Sequence, residues 1–169
     1  KILKDFYERV YDDERLAPFF VDVTKQRLIE KQYNFLRQVF TGEKIYFGER
    51  PRNAHHWMVI SDDLMDHREQ LMEFCLREHD IPEHLVKRWR ALEETYRKQM
   101  VKSRPWKKIV DGVAFPLEGY EEILLTEGTL CDSCGGEVSS GEIGRYHVRL
   151  GKIYCQNCMT GTEAPAIGA

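Results

Sequence analysis

The sequence predicts an all-α domain over its first hundred residues and a small β domain after it. Up to Lys102, apolar residues recur at three- and four-residue spacing and glycine is nearly absent. After Arg104 the glycines accumulate among short alternating runs, and four of the 5 cysteines fall close together. A length of 169 residues suits one substantial core with a small appendage. The predicted boundaries are 1–103 for the helical domain, 104–125 for a linker, 126–160 for the β domain and 161–169 for a flexible tail.

Composition limits the classes of partner. A formal net charge of −3 at pH 7 provides no general basic field, so we expect no nucleic-acid partner and no attraction to an anionic membrane. No apolar run approaches the roughly 20 residues that a bilayer-spanning helix needs, and no signal peptide is visible. We therefore expect a soluble, cytoplasmic protein. Because the sequence opens inside a predicted helix, we also expect a first helix to precede Lys1.

The first two predicted helices carry the apolar stripes of a common core. The segment KILKDFYERVYDD lines one face with Ile2, Leu3, Phe6, Tyr7 and Val10. A second helix, from Thr24 to Phe40, presents Leu28, Phe35, Leu36 and Val39, but Gln32 lies inside this stripe. A buried amide without a partner costs about 1–3 kcal/mol. Gln32 is therefore either a core residue bonded to the backbone or a functional group.

Two more helices complete the α domain. Ser61 is a good N-cap for a third helix that runs to about Glu78, with Asp62 and Asp63 favourable in its first turn. Its predicted face consists of Leu64, Leu71, Phe74 and Cys75, where Cys75 reads as a small buried hydrophobe. A fourth helix follows Ile81-Pro82 and runs to about Ser103, with Leu85, Trp89, Leu92, Tyr96 and Met100 as its stripe.

Between the second and third helices, the stretch RPRNAHHWMVIS contains adjacent histidines at positions 55 and 56. It follows a loop over residues 41–53. Neighbouring residues on a helix lie about 100° apart, so at most one of the two rings can point directly inward. Spacing alone leaves both a surface position and a ligand role open for each histidine.

Several separately placed elements resemble the truncated haemoglobins, short haem proteins built as a two-over-two helical sandwich. These elements are DFYERVYDDERLAPFF, the KQ.NFL spacing, Tyr46 with Gly48, and AHHWMVIS. The resemblance covers roughly residues 1–103. It implies that the cofactor is haem and that His55 is its proximal iron ligand, while His56 points elsewhere, as a surface residue or one that supports the ligand. A neutral imidazole nitrogen is the usual proximal donor to globin iron.

The same resemblance implies the other residues of the haem site. Tyr7 and Gln32 would contact a diatomic gas ligand on the distal side, each hydrogen bond to a charge-bearing ligand contributing about 1.5–3 kcal/mol. Such a polar pair should favour dioxygen over carbon monoxide. The implied haem wall consists of Phe20, Leu28, Leu36 and Tyr46.

Arg68 departs from the family pattern because it occupies a position that is usually apolar or tryptophan. It could pair with a haem propionate, reach the bound ligand or reflect a register error of one residue. Lys25, Arg27 and Arg52 are the other candidate propionate partners, and each could equally be a solvated surface charge.

The cysteines after residue 130 follow the pattern C-x2-C-x20-C-x2-C, formed by Cys131, Cys134, Cys155 and Cys158. Four thiolates in two knuckles complete a closed tetrahedral zinc site, which has no open position for catalysis. Between the knuckles, IGRYHVRLGKIYC alternates apolar and polar residues around Gly151 and predicts a β-hairpin, so the whole resembles a zinc ribbon.

Alternatives to a four-thiolate zinc site are disulfides, disfavoured in a cytosolic protein, and ligation by His147, which lies on the outward strand face and is expected at the surface. Because the module is net acidic, we expect it to pack on the globin or to contact a protein partner rather than nucleic acid.

The predicted function is reversible binding of dioxygen or another diatomic gas, with no catalytic residue assigned. Two alternatives remain open. One is a nitric oxide dioxygenase that depends on an external reductase, and the other is a gas sensor that signals through the zinc ribbon.

Overall fold

The computed structural model describes residues 1–21, 23–46, 48–110 and 112–159. The chain forms two compact units, the first spanning Lys1–Pro105 and the second starting at Trp106. The predicted tail at 161–169 lies outside the described residues, as does position 160 of the predicted β domain. None of the helices in the described part of the chain has the length and apolar character needed to cross a membrane.

The first unit is all-helical. Its elements are α1 (Ile2–Asp12), a 3-10 helix (Ala17–Phe20), α2 (Lys25–Thr41), α3 (Pro51–Ala54), α4 (Asp62–Glu78) and α5 (Glu83–Arg97). Helix α1 packs against both α2 and α4, and α4 packs against α5. The long helices therefore form two pairs, α1 with α2 and α4 with α5, which are joined through α1.

The core of this unit forms around α1, whose buried residues are the predicted Phe6, Tyr7 and Val10. They pack with Leu16, Met72, Cys75, Leu76 and Val86. Cys75 is fully buried, as predicted. Helix α4 also begins as predicted, because the Ser61 hydroxyl accepts a hydrogen bond from the Leu64 N–H at 3.1 Å.

The buried faces of α4 and α5 differ from the predicted stripes. Phe74 is 45% exposed and Leu85 is 38% exposed, whereas Glu69 and Glu93 are buried. The predicted buried faces contain apolar residues only. They therefore leave out charged side chains that are buried in ion pairs. Helix α5 also ends earlier than predicted. Beyond it the backbone N–H of Lys102 donates to the Ile60 carbonyl at 2.8 Å in an isolated antiparallel bridge.

The second unit consists of short antiparallel strands. Its elements are β1 (Ile109–Val110), β2 (Val113–Ala114), β3 (Tyr120–Leu124), β4 (Thr129–Leu130), β5 (Glu137–Val138), β6 (Ile143–His147), β7 (Lys152–Tyr154) and α6 (Gln156–Met159). Strands β3, β6 and β7 form a three-stranded sheet in that order, and β1–β2 and β4–β5 are separate two-stranded pairs. Tyr120 pairs with His147, and Tyr146 pairs with Ile153. A small core of Leu125, Cys131 and Val138 lies beside the sheet.

Three strands lie inside the range 104–125 that the sequence predicts as a linker. Strand β3 pairs along its whole length with β6, so this range contributes a strand to the sheet of the second unit. The glycines and prolines in the range 104–125 favour turns, so the sequence pattern does not distinguish the short strand β3 from a linker. The predicted hairpin, in contrast, is confirmed as β6–β7. Gly151 adopts a positive φ of 66° in its turn, a conformation that glycine tolerates best.

Candidate functional site

His55 follows directly after the short helix α3, which begins at Pro51 with the fixed φ that favours a first helical position. Its Nδ1 lies 2.9 Å from the Pro51 carbonyl oxygen, so Nδ1 carries the hydrogen and donates it. Among the described residues, Nε2 forms no hydrogen bond. Burial lowers the pKa of His55 to about 4, which outweighs the opposing Pro51 contact. At neutral pH the ring is a neutral imidazole whose lone pair on Nε2 can bind a metal.

Tyr7 of α1 and Gln32 of α2 are brought together by the packing of these two helices. The Tyr7 hydroxyl donates to Oε1 of Gln32 at 2.5 Å. Burial raises the pKa of Tyr7 to about 12, so the phenol keeps its proton. Because Oε1 accepts this bond, the amide NH2 of Gln32 remains a donor for another group. The polar residue in the α2 stripe thus pairs with a side chain and not with the backbone.

The predicted haem-wall residues lie in two groups, one beside Tyr7 and the other beside Leu36. The Phe20 ring meets the Tyr7 ring edge-on, with centroids 6.2 Å apart, and Leu28 packs against the same core. Leu36 is buried on α2. Tyr46 lies edge-on to Phe35, the neighbour of Leu36, with centroids 5.3 Å apart. Helix α2 therefore carries apolar contacts on both sides of Gln32.

Gly48 is required by the position of the Tyr46 ring. A Cβ at residue 48 would lie 2.4 Å from the Tyr46 hydroxyl oxygen, well inside any normal contact. The hydroxyl itself donates to the Glu49 carbonyl at 2.7 Å, which fixes the ring over the glycine. The Gln38 side chain orders the same loop by accepting from the backbone N–H of Ile45 and of Tyr46. The close approach of the Tyr46 ring to residue 48 therefore explains why a glycine follows Tyr46 at this spacing in the sequence.

His56 is only 2% exposed, so of its two expected positions the surface one is wrong, and a role in supporting the ligand stays a prediction. The expectation assumed that both histidines continue a helix. Helix α3 instead ends at Ala54, and the His55 carbonyl accepts from the Met58 N–H in the turn that follows. The helical angle between neighbours does not apply in such a turn, and both rings can point away from solvent.

Lys102 supports the His55 turn from the end of the first unit, a contact that sequence reasoning missed. Its ammonium group donates to the His55 carbonyl at 2.7 Å and to the Met100 carbonyl at 2.9 Å. The residue is 7% exposed, and burial lowers its pKa to about 8. Nothing in the polar sequence around Lys102 distinguishes it from a surface lysine.

The Arg68 side chain is 22% exposed and packs against the helical unit. Its guanidinium lies over the Phe6 ring, 4.9 Å from the centroid, and donates through Nη1 to Oε1 of Glu93 on α5. Burial alone would lower the pKa of Arg68, but Glu93 more than compensates and raises it. Sequence reasoning missed Glu93 because it falls between the apolar positions of its helix. Of the candidate propionate partners, Arg27 and Arg52 are exposed, and the Lys25 ammonium lies 5.3 Å from the centroid of the Tyr11 ring.

Comparison with known proteins places this unit in a family. Residues 1–102 match the family model of the bacterial-like globins. The chain is 35% identical over 85 residues to the group 1 truncated hemoglobin GlbN of Synechocystis sp., an alignment that covers 48% of this chain and 68% of that protein. The chain belongs to the bacterial-like globin family.

Solved structures show the same fold for this globin. The Fe(III) form of the truncated hemoglobin from Tetrahymena pyriformis aligns with a TM-score of 0.56 at 24% identity, covering 59% of this chain and 86% of that one. The 2/2 hemoglobin from Synechococcus sp., solved in the cyanomet state with covalently attached heme, aligns with a TM-score of 0.55 at 23% identity and the same coverage. The predicted truncated-globin fold is therefore confirmed, and family membership supports haem as cofactor and a diatomic gas as ligand.

The residues of this globin fit a haem group. Iron needs a neutral nitrogen donor, and the His55 ring presents Nε2 with its tautomer already fixed by Pro51. A gas ligand opposite that donor needs hydrogen-bond donors, and the Tyr7–Gln32 pair contains both a phenol and an amide. The porphyrin needs apolar walls, which Phe20, Leu28 and Leu36 can supply.

The globin's second unit contains a separate cluster of four thiols. The Sγ atoms of Cys131, Cys134, Cys155 and Cys158 all lie within 4.8 Å of one another, and this cluster could hold a metal ion. The Sγ atoms of Cys134 and Cys155 are 3.8 Å apart, far beyond a disulfide bond length of about 2.05 Å.

Backbone N–H groups donate hydrogen bonds to these sulfurs and so stabilise their thiolate form. Cys131 Sγ accepts from the N–H groups of Ser133 and Cys155, each at 3.4 Å, and Cys134 Sγ accepts from Gly136 at the same distance. Burial opposes ionisation of Cys131, but hydrogen bonds from the backbone N–H groups of Cys134, Cys155 and Ser133 lower its pKa to about 6. Gly135 allows the turn with a φ of 72°. His147 lies away from this cluster, with its ring 4.7 Å from that of Tyr120.

Proposed function

We propose that the first unit binds haem through His55 and reversibly binds dioxygen or another diatomic gas next to Tyr7 and Gln32. The observation that carries this proposal is the 2.5 Å hydrogen bond between the buried Tyr7 and the half-buried Gln32, which the packing of two helices brings together. Burying polar groups such as these costs free energy unless each one forms a hydrogen bond, either with the other or with a ligand. Haem supplies the iron to which the gas binds when it is present.

Each residue has a distinct role in this proposal. His55 donates the Nε2 lone pair, with its ring orientation held by the Pro51 carbonyl. The amide NH2 of Gln32 donates to the gas, while Tyr7 holds Gln32 through Oε1 or rotates its own O–H toward the ligand. Phe20, Leu28, Leu36 and Tyr46 exclude water from the porphyrin faces.

Optical titration of the purified chain with hemin tests the proposal. We expect one hemin per chain, with the spectrum of a histidine-ligated haem. His55→Ala should abolish this spectrum, whereas His84→Ala, at an exposed position on α5, should leave it unchanged. His56→Gln separates ligation from packing, because His56 is buried and its loss would weaken folding without removing the donor. Normal haem ligation in the His55→Ala variant would overturn the assignment.

We also propose that the cysteine cluster holds a structural zinc ion. Four thiolates at about 2.3 Å from a tetrahedral zinc lie about 3.8 Å from one another, which matches the separation of Cys134 and Cys155. A closed four-thiolate site has no vacant position for a substrate. The ion would therefore stabilise the fold of the second unit and perform no chemistry there.

Metal analysis of protein purified without chelators tests this assignment. We expect one zinc per chain in addition to the haem iron, and its loss in Cys134→Ser and in Cys158→Ser. Cys75→Ser is the matched control, since Cys75 belongs to the helical core and is remote from the cluster in sequence. Zinc retained in full by both cluster variants would contradict the proposed site.

A further inference from the structure

Arg68 introduces a positive charge into the globin interior next to the ligand-side residues. Its guanidinium lies over the ring of Phe6, and the Phe6 and Tyr7 rings meet edge-on with centroids 5.2 Å apart. The Phe6 ring therefore contacts both the Arg68 guanidinium and the Tyr7 ring. The Arg68 charge also opposes the larger effect of burial on the pKa of Tyr7.

The counterion of Arg68 belongs to a different helix from Tyr7. Glu93 comes from α5 and accepts from Nη1 of Arg68 through Oε1. Its other oxygen, Oε2, is buried without a hydrogen bond among the described residues and lies 4.0 Å from Nη1 of Arg90. The Arg68 guanidinium therefore contacts Phe6 of α1 as well as its counterion on α5.

We propose that Arg68 makes the ligand site selective for ligands that carry negative charge, including small anions that bind ferric haem. This inference rests on the proposed haem site and identifies the class of ligand that the site takes. A partly buried cation interacts more strongly with a charged ligand than with a neutral one of the same size. Apolar residues at this position would give the site no such preference.

Equilibrium binding of azide to the ferric protein at pH 7 measures this preference, with carbon monoxide binding to the ferrous protein as the neutral comparison. Removing Arg68 alone would leave Glu93 buried without its partner, so the test uses the double variant R68M/E93Q and the single variant E93Q. The exposed Arg88 on α5 provides the control R88M.

We expect azide affinity to fall about tenfold in R68M/E93Q and to rise about fivefold in E93Q, where the guanidinium is no longer neutralised. Carbon monoxide affinity should change less than twofold in both variants, and R88M should match the original protein. Unchanged azide affinity in R68M/E93Q, or equal losses for azide and carbon monoxide, would overturn the inference while leaving haem binding intact. Failure of the original protein to take up hemin would instead overturn the proposed function, and this inference with it.

Discussion

The Lys102 ammonium group lies 2.7 Å from the carbonyl oxygen of His55, although 47 residues separate the two in the chain. The same group reaches the Met100 carbonyl, and the Lys102 backbone bridges to Ile60. The segment after α5 is thus held to the turn that carries the proposed iron ligand. Sequence position alone gives no indication of this connection.

Lys102→Met should therefore destabilise the helical unit and loosen haem binding. The substitution keeps the length of the side chain but leaves two carbonyl oxygens without this donor, a loss of about 1–3 kcal/mol. Urea unfolding of the apoprotein and the rate of hemin transfer to an acceptor protein measure the two effects. Lys98→Met, at an exposed position one turn earlier, is the matched control. Equal unfolding midpoints for the two variants would show that the Lys102 contact contributes nothing.

Tyr7→Phe and Gln32→Leu should each weaken dioxygen binding more than carbon monoxide binding. Bound dioxygen is the more polar ligand, and each lost hydrogen bond to it corresponds to about a tenfold change in affinity. Because the two side chains are hydrogen-bonded to each other, their effects should not add in the double variant. Dioxygen dissociation rates from stopped-flow mixing provide the measurement. Strict additivity would show that Tyr7 and Gln32 act independently.

Helix positions could be predicted from the sequence because they depend on local patterns. The α1 stripe, the Ser61 cap and the β6–β7 hairpin each follow from spacing or from a single residue type. The four cysteines that lie together in the second unit could be singled out by their spacing, and His55 by a family motif, while their roles as metal ligands stay predictions. The pairing of Tyr7 with Gln32 agrees with the expectation that both belong to one site.

The contacts that could not be predicted involve charged side chains buried by tertiary pairing. Arg68 with Glu93, and Arg90 with the almost fully buried Glu69, are ion pairs between α4 and α5. A buried charge is tolerated only with its partner, and the partner is distant in sequence. Local hydrophobicity therefore assigns such residues to the surface. His56 was misplaced for a related reason, because the end of α3 depends on a turn that spacing does not reveal.

Gly48→Ala should destabilise the loop between α2 and α3 by about 1–3 kcal/mol, since the new methyl group would overlap the Tyr46 ring. Tyr46→Ala removes the ring and should make the second substitution nearly neutral. Thermal unfolding of the two single variants and the double variant gives this coupling directly. A full Gly48→Ala penalty that persists without the Tyr46 ring would show that backbone conformation, and not this contact, requires the glycine.

Asp13 should contribute stability that disappears in acid. Burial disfavours its carboxylate, but hydrogen bonds from His67 and from the backbone N–H groups of Arg15 and Leu16 outweigh burial and lower the pKa of Asp13 below its usual value. A carboxyl group with a depressed folded-state pKa stabilises the fold above its unfolded pKa of about 3.9. The contribution is lost as pH falls through the lower folded value. The free energy of unfolding should therefore be higher for the original protein than for Asp13→Asn at pH 6, and the difference should shrink as pH falls below the unfolded pKa of about 3.9. The exposed Asp12→Asn variant, at equal haem content, should show no such pH-dependent difference. A gap between Asp13→Asn and the original protein that stays constant from pH 6 to pH 3 would rule out ionisation of Asp13 as its source.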